Sequence, residues 1–197
     1  MNLPIFKVPS SEINNSPYLK ILAGFKKPII LSTGMSYENE VKEAINILLK
    51  NGMKKKNIIL LHCTSQYPTK FSDLNLNAIL TLRKKFKCTV GYSDHSPGLI
   101  APIAAVAMGS KVIEKHFTIS KKMKGPDHIS SLNPTELKEV ISSIRKLEIS
   151  FGDGIKKPTK SEKENRLLGR KSIVAYKNIK IGEKFSLKNI TTKRPGT

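Results

Sequence analysis

Five times before residue 150, a short apolar run is followed by a stretch of helix length, and nothing else in the 197 residues limits the fold so tightly. The strand-like runs cover residues 5–8, 28–32, 58–62, 88–92 and 111–114. The helical stretches cover 17–25, a segment opened by Ser36, 74–86, 99–108 and 134–150. In the second of these, Val41, Ala44, Ile45, Leu48 and Leu49 recur at the spacing of one buried helix face. Ser16 and Ser36 are the expected N-caps, and Gly152 the stop of the last helix. Strand and helix alternating through short connections predict a parallel sheet with helices packed on it, because parallel neighbours need a crossover. No Gly-x-Gly-x-x-Gly turn is present, which disfavours a dinucleotide fold. A barrel of such units needs eight strands, so five leave three unaccounted for.

The charge of +20 raises the question of nucleic acid, but only five of the 35 basic residues are Arg. Phosphate and base recognition favours the Arg fork, whereas Lys spread along helix faces is ordinary solvation. Lys54-Lys55-Lys56 and Lys84-Lys85 fall at helix ends or in loops, with no aromatics among them and no Trp in the chain. A nucleic-acid partner is therefore not expected. Cys63 and Cys88 are too few for a disulfide framework and sit in apolar runs, as buried thiols do. His62 beside Cys63 is no catalytic pair, because neighbours in a strand point to opposite faces. The apolar stretch at 99–108 is short and interrupted by Pro102, so neither a signal peptide nor a membrane span is read, and a cytoplasmic protein is expected.

The chemistry concentrates between Thr89 and Thr118. Gly91-Tyr92-Ser93-Asp94-His95 and Val112-Ile113-Glu114-Lys115-His116-Phe117-Thr118 are two apolar runs that each end in a histidine, with a helix-length segment between them. Parallel strands joined by a helix place both ends on the same side of the sheet, the side on which βα barrels carry their chemistry. His95 and His116 could thus converge on one ion or one substrate, although a single histidine is more often structural than a ligand. Ser93 shares strand parity with His95.

Taken together, several strings resemble one family, the sialic acid synthases. They are Lys7-Val8-Pro9-Ser10-Ser11-Glu12, Leu31-Ser32-Thr33-Gly34-Met35, Leu61-His62-Cys63-Thr64-Ser65-Gln66-Tyr67-Pro68 and the two histidine segments. Gly125-Pro126-Asp127-His128, Gly152-Asp153-Gly154, Arg170-Lys171-Ser172-Ile173-Val174-Ala175 and Lys193-Arg194-Pro195-Gly196 follow in order. The resemblance implies a (β/α)8 TIM barrel of which strands 4–8 are present, followed by an incomplete antifreeze-like β domain. Residues 1–152 would be the partial barrel, 153–169 a linker with one short helix, and 170–197 the start of the antifreeze-like domain. Met1 then resembles an internal methionine, with both ends of the family pattern cut short.

The activity implied is condensation of phosphoenolpyruvate with an N-acylated amino sugar and water, giving a nine-carbon 2-keto acid and phosphate. N-acetylneuraminate synthase acting on N-acetylmannosamine is the first expectation, and N,N'-diacetyllegionaminate synthase the second. By the same resemblance His95 and His116 bind a divalent metal, manganese or magnesium, and Glu12 is a catalytic or substrate-binding carboxylate. Lys7, Ser10 and Ser93 match contacts to phosphoenolpyruvate. Ser65, Tyr67 and Asp127 match positions near the sugar, although Asp127 after a Gly-Pro pair would equally suit an Asx-turn. Arg194 matches an arginine that reaches the sugar in a domain-swapped homodimer. A different class of function stays open, that of a catalytically incompetent piece of such a synthase.

Overall fold

The structure is a computed structural model that describes residues 3–195, which leaves Gly196 of the Arg-Pro-Gly motif outside the described residues. It divides into a first compact unit that ends at Ser150 and a second that begins at Phe151. In the first unit the strands are β1 (Phe6–Val8), β2 (Ile29–Ser32), β3 (Ile58–Cys63), β4 (Thr89–Asp94) and β5 (Ile113–Lys115). The helices are α1 (Ser16–Gly24), α2 (Glu38–Lys50), α3 (Ala78–Phe86), α4 (Ile100–Ala107) and α5 (Pro134–Ser150). The strands form one parallel sheet in chain order, with β1 and β5 at its edges. Among the described residues no helix is long and apolar enough to cross a membrane.

Register and alternation give the sheet two unlike faces. Val8, Leu31, Leu60 and Val90 lie side by side across four strands. With Ile29, Ile58 and Tyr92 they pack against Leu19, Leu48, Ile79 and Ala105 of the helices in one core. Each such aliphatic side chain, fully buried, contributes about 1.5–3 kcal/mol. The intervening residues face the other way, and there Cys63, Ser93 and Glu114 form a row across β3, β4 and β5. Lys7 of β1 shares that face, aligned through Ile30 with Ile59, two and four residues before Leu61 and Cys63.

Several boundaries differ from those expected. The N-cap of α1 is Asn15, whose side chain accepts from Tyr18 N at 3.2 Å, and Ser16 lies inside the helix. The α2 helix is capped at Tyr37, where the Glu40 carboxylate accepts the Tyr37 N–H at 2.6 Å. Ser36 donates instead to the Gly34 carbonyl. Helix α3 begins at Ala78 and not at Leu74, because Asn75 takes the left-handed conformation (φ 43°). The Leu74 carbonyl is taken by His62, whose Nε2 donates to it at 2.8 Å.

His62 stacks on Tyr92 on the helix side of the sheet (centroids 5.9 Å apart), while Cys63 faces away from it. Burial is the main reason that the His62 pKa lies below its ordinary value of 6.5, two backbone hydrogen bonds opposing it. Gly91, in contrast, is a matter of space. A Cβ there would lie 2.4 Å from the Val112 carbonyl oxygen and 2.6 Å from Leu61 Cδ2, so the close approach of β4 and β5 depends on its absence.

The second unit holds α6 (Lys160–Gly169) and the antiparallel pair β6 (Ser172–Ala175) and β7 (Ile190–Lys193). Thr159 caps α6 with Glu162 in reciprocal hydrogen bonds. Buried Asn189 organises the turn before β7: it donates to Glu183 Oε1 and the Lys184 carbonyl, and accepts from Ser186 N.

Two outcomes are expected. Gly91→Ala should cost about 1–3 kcal/mol by overpacking, read as a lower urea midpoint at unchanged slope. For His62 the unfolded chain takes up a proton near pH 6.5 that the folded chain excludes until its lower value is reached. Stability is therefore full above about pH 6.5 and declines as pH falls through that window. Urea midpoints measured across it should fall towards acid, and fall less in His62→Gln, which still donates to Leu74 but takes no proton. An identical profile in the variant would overturn this.

Candidate active site at the carboxyl ends of the strands

Strands β1 to β5 and the segments that leave their carboxyl ends carry the first-unit residues singled out in the sequence. Three groups form among them. In the first, His95 and His116 leave the adjacent strands β4 and β5 with ring centroids 5.5 Å apart, nearly edge-on at 73°. Tyr67 packs against both, 4.1 Å from His95 and 5.4 Å from His116. The Asp127 carboxylate lies 3.9 Å from His116 Nδ1. It does not fold back onto its own turn as an Asx-turn would; the Asp127 main-chain carbonyl, instead, accepts from Ser131 N and Ser131 Oγ. His128 Nδ1 lies 2.7 Å from Thr118 Oγ1, tying the loop that carries Asp127 to the residues just after His116.

His95 is buried, and its Nδ1 donates to the Thr64 carbonyl at 2.7 Å. That bond fixes the tautomer and leaves Nε2 with its lone pair. Desolvation by burial is the main cause that lowers its pKa, and His116 adds to it. The imidazole is thus kept neutral, as a ligand must be. Partial desolvation, joined by Cys63, Asp127 and Glu114, raises the hydroxyl of half-exposed Tyr67 above its ordinary range. The 64–69 loop is held by buried Thr69, which donates its N–H to the His95 carbonyl and its hydroxyl to the carbonyls of Gln66 and Thr64.

The second group is electrostatic. Glu114 Oε1 accepts from Ser93 Oγ at 2.8 Å and lies 3.4 Å from Lys7 Nζ. Glu114 escaped attention in the sequence, yet it shares parity with His116 two residues on, and that was the available signal. The third group gathers around Gly34. Its N–H donates to Ser10 Oγ at 3.0 Å, and Ser10 Oγ lies 3.2 Å from Cys63 Sγ. A Cβ at Gly34 would sit 2.3 Å from Ser65 Oγ, so the two hydroxyls and the thiol close over a bare backbone.

Two of the sequence candidates join none of these groups. Glu12 sits in a 3-10 turn after β1, and its carboxylate accepts from Asn15 Nδ2 at 2.6 Å, next to the cap of α1. Arg194 belongs to the second unit, exposed just after β7. A cavity of about 850 Å³ opens between the loops after β2 and β3, with Met35, Tyr37, His62, Ser65 and Gln66 in its walls.

His95 and His116 offer two neighbouring imidazoles, a donor type that suits a divalent transition-metal cation. Among the described residues no three His, Cys, Asp or Glu side chains gather closely enough to cage an ion. Two imidazole ligands would leave most coordination positions to water or substrate oxygens, as in an open catalytic site.

Comparison with known proteins shows the family to which the chain belongs. N,N'-diacetyllegionaminic acid synthase of Campylobacter jejuni is 55% identical over 195 residues, 99% of this chain and 58% of that protein. N-acetylneuraminate-9-phosphate synthase of Mus musculus is 38% identical, over 98% of this chain and 53% of that protein. Among solved structures, the N-acetylneuraminic acid (sialic acid) synthetase of Leptospira borgpetersenii in complex with citrate superposes with a TM-score of 0.76 at 36% identity. That match covers 83% of this chain and 56% of the other. The chain thus spans a little more than half the length of the proteins it matches. Residues 1–156 match the NeuB family, and the chain belongs to that family, the sialic acid synthases whose motifs it carries.

Proposed function

We propose that this chain carries the histidine-bearing part of a synthase site that joins phosphoenolpyruvate to an N-acylated amino sugar. The supporting observation is the meeting of His95, His116, Tyr67 and Asp127 at the carboxyl ends of adjacent strands. In the overall reaction C3 of phosphoenolpyruvate bonds to the aldehyde carbon of the open-chain sugar, water adds at C2, and the C2–O bond to phosphate breaks. The products are a 2-keto acid and inorganic phosphate.

Each residue has a task in that scheme. His95 and His116 would hold a divalent cation, manganese or magnesium, which when bound supplies Lewis-acid polarisation of the aldehyde oxygen. Lys7, paired with the Glu114 carboxylate that also accepts from Ser93, offers a point charge to the phosphate or carboxylate of phosphoenolpyruvate, with the Ser10 and Ser93 hydroxyls as donors. Tyr67 walls the histidines, Ser65 stands near the sugar, and Asp127 accepts from its hydroxyls. Glu12 orients the sugar or moves a proton, once released from Asn15. In a homodimer, Arg194 of one copy would reach the sugar held by another, the second unit being an antifreeze-like domain exchanged between copies. The protein would work in the cytoplasm.

Two sugars compete for the assignment. The 55% identity to the Campylobacter jejuni enzyme, against 36% to the N-acetylneuraminic acid synthetase of Leptospira borgpetersenii, supports N,N'-diacetyllegionaminate as the product over N-acetylneuraminate.

The test is phosphate release from phosphoenolpyruvate with Mn2+, comparing N-acetylmannosamine with the diacetylated legionaminate precursor. The chain alone is expected to show little turnover. Supplied with the first three βα units of a family barrel, it should turn over, faster with the diacetylated sugar. In that active form His95→Ala and His116→Ala should each lower kcat at least about 100-fold, the scale of losing a group that stabilises a developing oxyanion. Full activity in either variant would overturn the role of the pair.

A further inference from the structure

The residues immediately before the two histidines are charged and buried. Asp94 precedes His95 and Lys115 precedes His116, paired across β4 and β5 in register. Their side chains are 0% and 5% exposed, and they meet at 2.7 Å from Nζ to Oδ2. They belong to the helix-facing side of the sheet, where Tyr92 and Ile113 two residues earlier join the apolar core. An ion pair in such a place adds little stability over apolar residues of the same volume, so stability does not account for it.

The hydrogen bonds show what the pair does. Lys115 Nζ donates to Asp94 Oδ2 and to the main-chain carbonyl of Ser96. Asp94 Oδ1 accepts from Tyr92 OH at 3.1 Å, Ser96 N at 2.9 Å and Ser96 Oγ at 2.7 Å. The residues on both sides of His95 are thus grasped by the residue next to His116. Side chains alternate along a strand, so the network stays behind the sheet while both imidazoles project in front. A slip or splay of β4 against β5 would pass directly into the separation of the rings, and this network opposes it.

We propose that the Lys115–Asp94–Ser96 network is a positioning device that sets the distance between the imidazoles of His95 and His116, and with it their joint affinity for a divalent cation. This rests on the reading of the pair as cation ligands. Neither Asp94 nor Lys115 touches the ion; both act through the backbone.

The test measures Mn2+ binding to the whole chain by loss of the free-ion EPR signal, without substrates. Asp94→Asn with Lys115→Met together removes the link between strands, leaves no unpaired charge, and keeps an amide oxygen for the bonds from Tyr92 and Ser96. Lys115→Arg keeps the charge pair and changes only its geometry, which serves if the double variant does not fold. Lys85→Met, which breaks the exposed ion pair with Glu38, is the control. The double variant is expected to fold, with the wild-type circular dichroism, and to bind Mn2+ about 10–100-fold more weakly, the usual effect of disturbing the support of a metal ligand. Lys115→Arg should weaken binding to a smaller degree, and Lys85→Met should bind as wild type. Wild-type affinity in the folded double variant, or in Lys115→Arg where the double variant does not fold, overturns the inference alone. A wild-type chain that binds no Mn2+ overturns the cation reading itself and the inference with it.

Discussion

The register of five parallel strands is the constraint from which the rest follows. Four ladders align Val8, Leu31, Leu60 and Val90 in one row and Cys63, Ser93 and Glu114 in another. Because side chains alternate, every residue assigned to the core by this register commits its neighbours to the opposite face. A slip of one residue in β4 would bury Ser93 among the helices and turn Tyr92 towards the site. The apolar rows therefore do more than stabilise the unit: they hold polar groups on the other face in positions that those groups could not maintain themselves.

Around the histidines the same logic runs at closer range. Burial keeps His95 neutral, the Thr64 carbonyl fixes which nitrogen is free, and Tyr67 covers the ring. Preorganisation of this kind lowers the ordering cost that a ligand would otherwise meet on arrival. It also explains why residues 64–69 are so heavily bonded to their own backbone through Thr69.

Much of this was legible in the sequence, and the parts that were not share a cause. Alternating apolar runs revealed the βα units, since burial of one face leaves a period in the residues. The histidines stood out because both end such runs. The caps at Asn15 and Tyr37 are not legible from residue type, since Ser16 is as good a cap as Asn15 and Ser36 a better one than Tyr37, and only backbone geometry chooses between them. The late start of α3 turns on one left-handed Asn75, which no periodicity records. Glu114 could have been found by parity with His116. Asp94 and Lys115 could not be found as partners, because their meeting depends on the pairing of two strands and not on anything local to either. Glu12 shows the reverse case: its motif was legible, yet its carboxylate is engaged by Asn15.

The edges of the sheet carry a consequence of their own. With β1 and β5 outermost, the four ladders between them fix the register of one edge relative to the other. Strands that closed this arc into a ring would have to match both edges at once, because a fit at one determines the offset presented to the other. The arc thus serves as a gauge. It would accept a closing segment of one shear and reject a segment displaced by a single residue, long before any chemistry at the histidines could tell them apart.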